Sequence, residues 1–177
     1  MALHGSSSSG SSGTPSGTSF PVSPASGDRF YRSDRSIDYF YDGTRWLSTV
    51  LYQLAFIPNF SGGYPLAATG SFQCANPHSG IYDMYVEELA VEADITSATP
   101  ASNNFAIQFQ TGTGAGANGS FGSALATSGL TVNTYTKVSN NPNSLIANTV
   151  NIVACLFTRN GSGTGYIYPS LRYRLVG

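Results

Sequence analysis

Glutamates 87 and 88, with Glu92 four residues on, are the carboxylates whose spacing comes closest to acid–base chemistry in this chain. Glycoside hydrolysis uses two carboxyl groups about 5–5.5 Å apart in retaining enzymes. Adjacent strand residues point to opposite faces, so Glu87 and Glu88 are expected not to form such a pair. Glu88 and Glu92 share a face but stand roughly 13 Å apart along a strand, and they read as a solvated sheet face. Asp34, Asp38 and Asp42 lack the Asp-x-Asp-x-Asp-Gly spacing of a calcium loop, and each has an arginine nearby. His4 and His78 have no evident Ser or Cys partner with a third orienting group. "GAGANG", residues 114–119, matches GxGxxG, but a dinucleotide site needs a helix directly after it, and the residues beyond 119 read as loop and strand. Cys74 and Cys155 form no CxxC pair, so zinc is not expected. Two buried free thiols are the expectation, with a bridge between them left open. No catalytic set, metal site or cofactor emerges from these residues.

The elements that would carry them are strands. In "EELAVEADI", Leu89, Val91, Ala93 and Ile95 share one face, and Glu88, Glu92 and Asp94 the other. Phe105, Ile107 and Phe109 oppose Ala106, Gln108 and Gln110, and Leu171, Tyr173 and Leu175 oppose Arg172 and Arg174. Period-two patterning over several segments means half-buried antiparallel strands. "NIVACLF", residues 151–157, is apolar on both faces and reads as a central strand. Only 61–73 and 123–129 leave room for a helical turn. Many short strands punctuated by Gly, Asn and Pro predict an all-β fold, an antiparallel β-sandwich of jelly-roll type.

Aromatic residues concentrate in "YFYDGTRW", residues 39–46, which holds the only tryptophan. Asp42-Gly43 predicts a two-residue hairpin turn inside a hairpin over 37–48. Tyr41 then pairs with Thr44, and Tyr39 with Trp46. One face carries Ile37, Tyr39, Tyr41, Thr44 and Trp46; the other carries Asp38, Phe40, Arg45 and Leu47. Tyr39, Tyr41 and Trp46 could stack on sugar rings, or could pack against protein.

Charge is scarce. Of 177 residues, 10% are Asp, Glu, Lys or Arg, against about 25% in typical domains. The net charge of -1 leaves no electrostatic footprint for nucleic acid. No stretch of about 18 apolar residues predicts a membrane helix. Yet eight charged residues fall between 28 and 45, among them Arg29, Arg32, Arg35 and Arg45, with signs nearly interleaved. Such a segment suits paired contacts at a subunit interface or on a salted surface. Residues 1–27 are Ser, Gly, Thr and Pro with little to bury and no apolar signal-peptide core. They are expected to form an extended arm ahead of a domain over 28–177. An ordered arm would draw its stability from a partner, with Phe20 as first anchor.

"PVSPASGDRFYRSD" followed by "YFYDGTRWLST" resembles a segment of tailed-bacteriophage virion proteins, the tail or head fibres and related decorating proteins. "YPSLRYRLVG" is similar to the last strand of β-sandwich domains in them. The resemblance covers 21–49 and 169–177 and carries no catalytic residues over. It implies a non-enzymatic virion component, commonly a homotrimer, whose partners would be further copies and a major capsid protein. The alternative is a receptor-recognition module that binds a host surface glycan.

Overall fold

Alternation in the sequence becomes alternation in burial. The computed structural model describes residues 13–56, 64–65, 70–95, 104–113, 119–127, 134–160 and 165–177. His4, the first twelve residues of the expected arm and residues 114–118 of the glycine run lie outside that set, as does the side chain of Ile95. The chain divides into two compact units, Met1–Thr49 and Val50–Gly177. No helix occurs among the described residues.

The first unit is a four-stranded sheet in the order β1-β2-β3-β4: β1 (Ser16–Gly17), β2 (Arg29–Arg32), β3 (Ile37–Tyr41) and β4 (Trp46–Ser48). The expected hairpin is β3–β4, but its register pairs Tyr41 with Trp46, Phe40 with Leu47 and Tyr39 with Ser48. The loop is therefore four residues, 42–45. Asp42 is the cause. Its Oδ1 accepts from the backbone N–H of both Thr44 and Arg45 at 2.7 Å, an Asx arrangement that competes with the tighter turn. Gly43 supplies the positive φ of 101° that the loop requires. The shift is two residues, and the side-chain period is two, so the expected faces survive it.

The arm does not stand apart. β1 pairs in parallel with β2, and the N–H groups of Tyr31 and Ser33 donate to the carbonyls of Pro15 and Gly17. Residues 13–27 belong to the same unit as the hairpin. The division between the two units falls at 49, after the hairpin. A segment poor in apolar residues orders itself because backbone hydrogen bonds and one aromatic, Phe20, join an existing core.

The second unit holds two sheets. One has the order β10-β9-β13-β7, from β7 (Gly70–Ala75), β9 (Asn104–Gly112), β10 (Gly119–Ala126) and β13 (Ile152–Asn160). The six-stranded sheet has the path β11-β8-β14-β5, from β5 (Tyr52–Ala55), β8 (Met84–Ile95), β11 (Tyr135–Asn140) and β14 (Gly165–Leu175). There, β12 (Ser144–Ile146) pairs with β8 and β6 (Tyr64–Pro65) with β14. All these pairings are antiparallel, and the unit is a β-sandwich. Its jelly-roll type stays an expectation. β13 is central, between β9 and β7, as its doubly apolar pattern predicted. A strand, β10, begins at Gly119, so the glycine run does not open a helix.

The core combines Leu89, Val91, Ala93, Ile167 and Leu171 of one sheet with Phe105, Ile107, Phe109, Val153 and Cys155 of the other, all buried. Phe56, just after β5, meets Phe109 edge to face at 5.7 Å. Cys74 and Cys155 are free thiols, and burial pushes them up to about 11 and about 12 respectively.

The longest strand, β8, is irregular at one place. Its neighbour β14 alternates buried and less buried residues along its whole length. On β8 the buried core-facing residues are Met84 and Val86, then Leu89, Val91 and Ala93; Ala90 is buried as well, on the opposite face. The step of three is a β-bulge: Arg172 pairs with Glu88 but Tyr173 pairs with Val86, leaving Glu87 surplus. The bulge keeps both halves of β8 facing the core.

Candidate functional site

The residues singled out in the first unit close on one another. Phe30, Tyr39 and Trp46 are its buried core, with Phe20, Ile37 and Tyr41 packed against them. Phe20 stacks on Trp46 with ring centroids 4.9 Å apart and planes 11° from parallel. It also meets Tyr39 edge to face at 5.1 Å. The Arg32 guanidinium sits over the outer side of this arrangement, 4.8 Å from the Phe20 centroid. Trp46 is 7% exposed and Tyr39 fully buried. A sugar platform needs an open aromatic face, and Phe20 occupies the one Trp46 would offer.

The charges of 28–45 are also engaged locally. Arg32 makes a bidentate pair with Asp34, Nε to Oδ1 at 2.9 Å and a terminal nitrogen to Oδ2 at 2.7 Å. That hydrogen bond holds the Asp34 carboxyl below its usual range. Arg45 stands 3.7 Å from Asp42, and Arg35 4.0 Å from Asp34. Arg29 is exposed and has no ion pair among the described residues. These contacts pin the turns at each end of β3.

A different surface gathers the remaining charge. Residues 50–177 contain nine charged side chains, and seven of them (Glu87, Glu88, Glu92, Asp94, Lys137, Arg172 and Arg174) belong to the outer face of the six-stranded sheet. Register fixes their order, because directly paired residues share a face. Tyr135, Asp94 and Tyr166 form one row, and Lys137, Glu92 and Tyr168 the next. Then come Ser139, Ala90, Ser170 and Ala55, and after them Glu88, Arg172 and Gln53.

Within this face Lys137 Nζ reaches diagonally to Glu88 Oε1 at 2.6 Å. The Ser139, Ala90 and Ser170 row lies between the Lys137 and Glu88 rows, and Ala90 is buried on this outward face. Burial raises the Glu88 carboxyl, but the Lys137 hydrogen bond and the Lys137 and Arg172 charges outweigh it and leave the group lowered. Arg174 Nε donates to Glu87 Oε1 at 2.6 Å. Tyr135 donates to Glu92 Oε2 at 2.6 Å, and its ring lies 5.9 Å from that of Tyr168. Burial and the Glu92 carboxylate push the Tyr135 hydroxyl up to about 12.

The bulge changes one expectation outright. Glu87 and Glu88 do not point to opposite faces: both line a cleft of about 260 Å³, with Leu51, Asn141 and Arg172. An extra residue in the strand breaks the alternation on which that expectation rested. The Asn141 amide group lies beside the carbonyls of Asn140 and Glu87, so its nitrogen is assigned to that side, where it can donate to both. The spacing of Met84, Val86 and Leu89 held the signal. Lys137, Tyr135 and Tyr168 had none, because strand pairing alone brings them together.

His78 finds a partner that sequence did not suggest. Its Nε2 lies 2.9 Å from the Tyr173 hydroxyl, and Tyr52 stacks on Tyr173 at 5.6 Å. Burial lowers the His78 imidazole and pushes Tyr173 up to about 12. This is a packing cluster that docks the loop after β7. Among the described residues, no group of three or more His, Cys, Asp and Glu could hold a metal ion.

No protein-family model matches the chain, and no curated protein matches it. Among solved structures it is similar to a chain in the "Structure of infectious bursal disease virus Gx strain", with 10% identity and a TM-score of 0.39. The match covers 72% of this chain and 31% of that one, so the chain spans about a third of the length of that neighbour.

Proposed function

We propose that this chain is a non-enzymatic structural component of a virus particle, of the decorating or short-fibre kind found on tailed phages. The observation that carries the reading is the bipartite build. A small β unit with its own aromatic core succeeds a Ser/Gly-rich stretch and precedes a charge-poor β-sandwich. That division suits a module for attachment and a module for display. The resemblance over 21–49 falls in the first unit, and that over 169–177 falls on β14 at the middle of the six-stranded sheet. Because residues 13–27 pack within their own unit, attachment is the work of the whole unit rather than of a free arm. The partners are further copies in a trimer and a capsid protein.

The experiment uses the full chain. Added to particles assembled without it, the protein is expected to sediment with them at saturable occupancy and to scatter light as a trimer when free. Failure to sediment with particles would overturn the attachment reading. A monomer of 18.6 kDa at micromolar concentration would remove the trimer. Sugar binding is the second reading; in the first unit Trp46 is stacked under Phe20, and Tyr41 is the less buried ring beside it.

A further inference from the structure

We propose that the outer face of the six-stranded sheet binds a neutral saccharide, one ring seated in the cleft beside Glu87, Glu88, Asn141 and Arg172 and the next units reaching toward Tyr168 and Tyr135. The inference goes beyond a particle role and does not depend on it.

Charge balance selects the class. Two carboxylates and one cation, Arg172, line the cleft, and each carboxylate already holds a further cation: Glu88 has Lys137 at 2.6 Å and Glu87 has Arg174 at 2.6 Å. A cationic ligand would have to displace a cation already held at close range. An anionic ligand would meet two carboxylates at the same wall. A neutral group that both donates and accepts hydrogen bonds meets neither cost, and a ring of hydroxyls is such a group.

The hydrogen-bonding capacity fits. Arg172 is half exposed and approaches Glu88 Oε2 only to 3.6 Å, beyond hydrogen-bond distance. Its planar set of N–H donors is therefore available to vicinal hydroxyls. Glu88 Oε2 itself is shut away from solvent and takes no hydrogen bond. A ligand that orders Arg172 against it completes a pair that is open in the free protein. Tyr168 adds a hydroxyl and a ring on the same face, two rows away.

Size sets the length of the ligand. About 260 Å³ is below the range of roughly 300–1,000 Å³ typical of pockets that enclose a whole small molecule. The cleft takes one end. The rest must lie on the open face, where Ser139, Ala90 and Ser170 keep the surface low and Tyr135 and Tyr168 stand at the far side. Sugar faces stack on such rings.

The test is an immobilised array of neutral, anionic and cationic oligosaccharides, probed with the full-length protein and with Arg172→Ala, Tyr168→Ala and Phe20→Ala. Arg172 and Tyr168 are not core residues, and melting curves check that their variants fold. We expect retention of neutral oligosaccharides, with affinity falling about tenfold or more in Arg172→Ala, as for loss of a charged hydrogen bond. Tyr168→Ala is also expected to weaken binding, and Phe20→Ala to bind as the parent does. Retention of charged glycans alone, retention of none, or neutral binding untouched in both face variants would overturn the proposal. Particle attachment is measured separately and should be unchanged in Arg172→Ala, so the two readings fail independently.

Discussion

The Trp46 stack and the Glu88 face are made from the same kinds of residue: aromatics, an arginine and carboxylates. They differ in what covers them. In the first unit Phe20 lies flat on Trp46, Arg32 lies on Phe20, and Asp34 fixes Arg32 with two hydrogen bonds. Each of these groups has its partner inside the unit, and the result is a core. On the sheet, Tyr168 and Arg172 remain partly open and Glu88 Oε2 has no hydrogen bond. Residue type therefore does not distinguish a platform from a core. Closure does, and in the first unit closure comes from one side chain contributed by a Ser/Gly/Pro-rich stretch.

The strongest way to break this contrast is to remove the tryptophan. Trp46→Ala deletes a buried indole and should cost about 3–5 kcal/mol. The loss should appear as early melting of the first unit, read by hydrogen exchange at β2 and β3, with β9 and β13 unaffected. Equal loosening of both units would show that the aromatic core is not local.

Phe20→Ala sharpens the comparison by turning the closed stack into an open one. The expected cost is smaller, about 1–3 kcal/mol for a partly buried aromatic and its ring contacts. Trp46 is the sole tryptophan, so its emission reports this unit alone and should shift to the red as water reaches the ring. An unshifted spectrum would mean that something other than Phe20 covers it.

The smallest effect concerns the sheet face. Glu88 is lowered in the folded state, so its pairing contributes stability above its unfolded value, near 4.3. That contribution is lost as pH falls through the folded value. Glu88→Gln should lower stability slightly at pH 7, as expected for partly exposed pairs, and converge with the parent in acid, so the acid limb of its pH–stability curve flattens below about pH 5. A parallel curve for the variant would remove Glu88 from the network.

Legibility in the sequence tracked the range of the interactions. Strands β8, β9 and β14 were visible because alternation is a local signal, and β13 because its run is apolar on both faces. The faces of the hairpin were legible while its loop was not, since one Asp42 carboxylate decided between two turns of similar cost. Phe20 as a lid was hidden because its partners, Trp46 and Tyr39, lie beyond two turns of chain. The sheet face was hidden further. Lys137 and Arg172 converge on Glu88 from strands separated by most of the sandwich, and no spacing rule joins them.

The bulge at Glu87 has a consequence for chain length. A strictly alternating strand can gain or lose residues only in pairs if its faces are to survive. β8 carries one spare residue, so at this single place it can lose one alone. Deleting Glu87 leaves Val86, Glu88 and Leu89 in strict alternation, still opposite Tyr173, Arg172 and Leu171. Met84 and Val86 stay inward, and the pairing of β12 with them is untouched. What goes is one wall of the cleft and the carboxylate that holds Arg174. The sandwich can therefore discard its cleft by the loss of one codon without redrawing its core, so the cleft is an addition to this sheet rather than a condition of it.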